Sequence, residues 1–120
     1  WHVLLPSEVR YQANVFVLKM LGATQVVLIT AMGSLRLDLP AGHFVVVQQL
    51  INGTHGRPGT FFGKGIAGHV ALADPVCRDL SAILLQEVQV LNLPVRPNVT
   101  LKVMEGPSYS KVDPFVKTVF

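Results

Sequence analysis

His43-Phe44-Val45-Val46-Val47-Gln48-Gln49-Leu50 is a short apolar run built around three consecutive valines. Branched side chains pack well on a pleated surface covered on both faces, so the run reads as a buried strand. Pro40-Ala41-Gly42 ahead of it is a turn. Working outward, residues 25–30 (QVVLIT) predict a first buried strand and residues 100–104 a third. Between the second and third, residues 79–91 place Leu80, Ile83, Leu84 and Val88 on one face of a helix. An earlier helix is expected to open at Pro6-Ser7, with Ser7 as its N-cap. Tyr11, Val15 and Leu18 share a face of it, and Gly22 ends it. Glu105-Gly106-Pro107 breaks the third strand, and a short final helix is expected from about Asp113. Helices alternating with apolar strands define an α/β fold.

Composition bounds the rest. The 120 residues suffice for one compact domain. Half are hydrophobic and only 14% are charged, against roughly 25% in an average soluble domain. Such an excess implies apolar surface covered by further chain or by other subunits. No apolar run approaches the ~20 residues of a membrane-spanning helix, and no basic segment leads into an apolar stretch. The net charge of +3 is scattered over Arg10, Lys19, Arg36, Arg57, Lys64 and others. Nucleic-acid binding calls for a basic cluster with interleaved aromatics, which is lacking. The lone Cys77 forms no internal disulfide, which points to a reducing, cytoplasmic setting.

Residues 51–75 hold six of the ten glycines together with Pro58 and Pro75. A long surface excursion of this kind is functional or disordered. Within it, Gly63-Lys64-Gly65-Ile66-Ala67-Gly68 spells a dinucleotide fingerprint. That fingerprint holds a pyrophosphate only between a strand and a helix. Its neighbours Thr60-Phe61-Phe62 and His69-Val70-Ala71-Leu72 fit a flexible loop better. His2, His43, His55 and His69 are spread out, so no metal is expected.

Ligands of α/β sheets bind beyond the C-terminal ends of strands. The loops at 31–34 and 105–110 satisfy that rule. Thr30 ends a strand before small residues. Its hydroxyl could serve a strand-end carbonyl, or donate to an anion together with the N–H groups of the loop; pattern leaves both open.

Six stretches, in order, resemble the purine nucleoside phosphorylases, in particular their methylthioadenosine phosphorylase branch. His2-Val3-Leu4-Leu5-Pro6-Ser7-Glu8-Val9-Arg10-Tyr11-Gln12-Ala13-Asn14 is similar to an H-x-x-x-P-S-x-V-x-Y-x-A-N segment. Thr30-Ala31-Met32-Gly33-Ser34-Leu35 resembles a T-A-x-G-S-L loop. Pro40-Ala41-Gly42-His43-Phe44-Val45, Arg57-Pro58-Gly59-Thr60-Phe61-Phe62, the segment from His69 to Cys77, and Met104-Glu105-Gly106-Pro107-Ser108-Tyr109 complete the series.

The resemblance implies a phosphorylase-type mixed sheet flanked by helices, with residues 1–120 a single incomplete domain. It implies phosphorolysis of a purine nucleoside. Inorganic phosphate is the co-substrate, and no cofactor is needed. Thr30, Ala31 and His2 would contact phosphate and sugar. Met32 and Gly33 would line the purine, Tyr109 would stack on it, and His69 would reach a neighbouring subunit's site in a homo-oligomer, typically a trimer. Ser110 stands where 6-oxopurine enzymes carry Glu, which favours an adenine-type base such as that of methylthioadenosine. Family chains are more than twice as long. Their glycine-rich phosphate loop would precede Trp1, and an Asn-Met-Thr segment and a purine-facing Asp would follow Phe120. No catalytic residue is therefore assigned, and the 120 residues alone are expected to be inactive. The alternative is a catalytically dead relative acting as an assembly subunit. Ser108, Val112 and Pro114 depart from the family's pattern and raise that alternative.

Overall fold

The valine run is a strand, β2 (Phe44–Gly53), which continues past Leu50. It pairs in parallel with β3 (Val95–Glu105). β3 pairs antiparallel with β4 (Phe115–Val119), and β4 pairs in parallel with the two-residue β1 (Gly33–Ser34). The order across the sheet is β1-β4-β3-β2, so the sheet is mixed and the fold is α/β. A parallel pair needs a crossover. Here it is α2 (Arg78–Val90), which packs on both β2 and β3. Leu80, Leu84 and Val88 are half-buried on its inner face. Ile83, expected with them, stays 55% exposed, because at 100° per residue it falls to one side of the stripe.

This computed structural model describes residues 3–4, 8–105 and 115–119. They fall into two compact units: Trp1–Ala31 with His55–His69, and Met32–Thr54 with Val70–Phe120. The sheet belongs to the second unit. Among the described residues its buried side chains are Leu39, Val99, Leu101 and Met104, with Met32 and Val45 packed against Leu39 and Val99.

The β2–β3 ladder contains two register shifts. Val45 faces Arg96 and Val47 faces Val99, so β3 carries one residue more than β2 between them. Gln49 then faces Thr100, so β2 carries the extra residue there. The first shift is built by Pro97, which cannot donate a ladder bond, and by Asn98 at φ 58°. This explains why the third strand starts at Val95 and not at residue 100. Its first half interrupts the apolar pattern with Arg96, Pro97 and Asn98.

The first unit contains α1 (Tyr11–Met20). It opens at Tyr11, later than expected; Pro6 and Ser7 lie outside the described residues. Gly22, at φ +82°, follows its C-terminal turn. Two expectations fail. Residues 25–30 form no strand, and Val26, Val27, Leu28 and Ile29 are 58%, 46%, 80% and 85% exposed. Strand-forming composition needs a partner ladder, and no described strand pairs with this run. The final helix is instead β4. The branched residues of Phe-Val-Lys-Thr-Val pair on both sides, with β3 and with β1. That tertiary pairing outweighs local preference.

Candidate functional site

In the second unit, Met32 and Gly33 lead into β1, with Gly33 opposite Thr118 and Ser34 opposite Val119. The stretch expected as a plain loop is therefore partly sheet edge. Met32 is half-buried against the Leu39 and Val99 cluster. Gly33 is exposed. Beyond β1, the Ser34 hydroxyl accepts the Arg36 N–H at 3.2 Å and donates to the Arg36 carbonyl at 3.1 Å. The Leu39 N–H closes the turn onto the same carbonyl at 3.3 Å.

At that turn stands an ionic cluster the sequence reading passed over. The Arg36 fork donates to both Asp38 oxygens, Nε to Oδ1 at 2.8 Å and Nη2 to Oδ2 at 2.7 Å. Arg96 on β3 donates to Oδ2 as well, at 2.6 Å. The hydrogen bond from Arg36 holds the Asp38 carboxyl down at about 2, and the charges of Arg36 and Arg96 act in the same direction. Asp38 in turn raises the Arg36 pKa. Arg-x-Asp spacing was the only local signal of this cluster; Arg96 lies too far along the chain to be linked by eye. Elsewhere in the unit, Arg78 at the start of α2 meets Asp74 at 2.6 Å.

In the first unit, Thr30 is half-buried, and its hydroxyl donates to the Ala31 carbonyl at 3.3 Å. His69 is exposed. The N-terminal turn of α1 holds the 55–69 segment at two points. Arg57 stacks its guanidinium 4.6 Å over the Tyr11 ring, and the Gln12 amide donates to the Thr60 carbonyl. The fingerprint spelling at 63–68 is a tight hairpin. Gly63 and Ile66 exchange N–H to carbonyl bonds at 2.8 and 3.1 Å. Lys64 and Gly65 at its tip have φ 51° and 100°, the mirror-image turn that suits a two-residue hairpin. No helix follows it, so the spelling forms no pyrophosphate cradle. His2, Tyr109 and Ser110 lie outside the described residues. Among the described residues, no three His, Cys, Asp or Glu side chains gather as metal ligands. No helix among them is long and apolar enough to cross a membrane.

A mixed α/β sheet with a βαβ crossover is the fold of the second unit. The sequence profile of the phosphorylase superfamily matches residues 3–116, and the chain belongs to that superfamily. It is 44% identical over 110 residues to an S-methyl-5'-thioadenosine phosphorylase of Geobacter sulfurreducens, covering 91% of this chain and 38% of that protein. A protein of the same name from Hyperthermus butylicus is 40% identical over 109 residues, covering 91% and 40%. The fold matches methylthioadenosine phosphorylase from Schistosoma mansoni in complex with adenine, with TM-score 0.80 and 33% identity over 91% of this chain and 47% of that one. Its complex with tubercidin matches with TM-score 0.82 and 30% identity, over 98% and 52%. The chain thus spans about two fifths of the curated relatives' length.

Proposed function

We propose that these residues form part of the site of a purine nucleoside phosphorylase acting on a methylthioadenosine-like nucleoside. The carrying observation is the unbroken family match over residues 3–116, which runs through both units. On this reading, residues 1–120 belong to one incomplete phosphorylase domain. A phosphate oxygen attacks C1′ of the nucleoside, the bond from C1′ to the purine nitrogen breaks, and the products are the free base and the sugar 1-phosphate. The sugar passes through an oxocarbenium-like state while negative charge builds on the purine. Donors fixed in advance around phosphate and base lower that barrier.

Thr30 and the Ala31 N–H are the phosphate donors, joined by His2. The Thr30 hydroxyl bond to the Ala31 carbonyl, at 3.3 Å, is long for an O–H donor. Met32 and Gly33 line the purine, Tyr109 stacks on it, and Ser110 suits an adenine-type base. His69 reaches the site of a neighbouring subunit in a homo-oligomer, a trimer by resemblance. Phosphate is the co-substrate, no cofactor takes part, and the setting is cytoplasmic purine salvage.

The 120 residues carry one portion of the site, and turnover requires the remainder. Phosphorolysis of methylthioadenosine and of inosine tests both statements. The full encoded polypeptide cleaves methylthioadenosine faster than inosine, and the 120-residue chain cleaves neither. Robust product from the 120-residue chain overturns the second statement; no product from the full polypeptide overturns the first. A second reading, a dead relative acting in assembly, is favoured by Ser108, Val112 and Pro114, which stand where the family pattern has Arg, Arg and Glu.

A further inference from the structure

We propose that Asp38 is a positioning residue: it locks the turn that follows Met32 and Gly33 onto β3, and so fixes the stretch that faces the purine. The inference rests on the phosphorylase reading above for what the stretch does, and on geometry for how it is held.

Most ties within residues 33–39 are local. Ser34 bonds Arg36, Leu39 bonds Arg36, and the Arg36 fork grips Asp38 two residues on. Such ties shape the turn without placing it. Three features place it. β1 pairs with β4 at its start. Leu39, 4% exposed, packs on Val99 at its end. Asp38 reaches Arg96 on β3, 58 residues away, at 2.6 Å. Met32 touches the same Leu39 and Val99 cluster, so a shift at the end of the turn passes directly to Met32. Arg96 is itself well fixed. It faces Val45 in the last pair before the first register shift.

The arrangement of charge makes Asp38 the sensitive member. Nη2 of Arg36 and Nη2 of Arg96 converge on a single oxygen, Oδ2, at 2.7 and 2.6 Å. Neutralising that carboxylate does more than remove an attraction. It leaves two guanidinium groups side by side with no anion between them, and like charges at that range repel. A Glu in its place keeps the charge and restores the bridge.

The test uses the full encoded polypeptide with D38N, D38E and R96Q, all substitutions at exposed positions. Hydrogen exchange over residues 33–39 reads the lock, and KM for methylthioadenosine at saturating phosphate reads its consequence. In D38N and R96Q we expect exchange to quicken and KM to rise, each by about fivefold, the factor that an exposed charge pair commands. kcat stays nearly level, and D38E returns both readouts toward wild type. Unchanged exchange in both variants overturns the lock. Faster exchange with unchanged KM overturns the positioning role and leaves a structural clamp. Wild-type protein that cleaves no purine nucleoside overturns the functional reading and the positioning role with it; exchange then still reports whether the clamp exists.

Discussion

Val47 stands opposite Val99, between two register shifts of opposite sense. The extra residue on β3 is compensated one step later by an extra residue on β2, so the ladder from Thr100 onward regains the offset it had at Phe44. Asn98, at φ 58°, sets the first shift. Left-handed backbone is tolerated by Asn and Gly and costs a β-branched residue about 1–2 kcal/mol or more. N98V should therefore destabilise the fold by about that amount, while N98G stays within about 0.5 kcal/mol of wild type. Urea unfolding of both variants checks it.

Leu39 and Leu37 are two residues apart and opposite in environment, at 4% and 103% exposure. Emptying a buried site loses transfer energy and leaves a cavity, so L39A should cost about 2–5 kcal/mol. L37A should stay within about 0.5 kcal/mol of wild type. Equal losses would mean that Leu39 is not the apolar anchor of its turn.

Asp38 gives the fold an acid dependence whose sign is fixed. Its carboxyl is lowered from 3.8 to about 2, first by the hydrogen bond from Arg36. A group with a depressed folded pKa stabilises above its unfolded value and loses that contribution as pH falls through the folded one. The gap in urea midpoint between wild type and D38N should be full above about pH 4 and close by about pH 2. A gap that persists at the acid end would disprove the charge origin.

Thr30 offers a test of the phosphate assignment. In the full encoded polypeptide, T30V removes the hydroxyl at nearly constant volume, and kcat/KM for phosphate should fall by about a hundredfold, as when one preorganised donor is lost. T30S should retain most of the activity. A T30V protein with unaltered phosphate kinetics would overturn the phosphate role of the hydroxyl.

Much of the second unit was legible in advance. The helix read at 79–91 is α2, and the valine run is β2, because the periodicity of one and the branching of the other agree with their packing. Reading failed where partners decide. Residues 25–30 and β4 are both rich in β-branched residues, yet of the two only β4 pairs with strands on both sides among the described residues. The shift at Pro97 and Asn98 hid half of β3 for the same reason, since a bulge breaks the alternation by which strands are seen. Of the proposed site residues, Thr30, Ala31, Met32 and Gly33 were named by motif resemblance. Arg36, Asp38 and Arg96 were missed, because a bridge across 58 residues leaves no periodic trace.

The place of β4 between β1 and β3 has a consequence for the order of assembly. Gly33 and Ser34 leave the ribosome well before their ladder partners Thr118 and Val119. β2, α2 and β3 can close on one another during that interval, since the crossover between them is local. β1 cannot. Its docking is a late, long-range event of the kind that slows folding, and the turn behind Met32 waits for it.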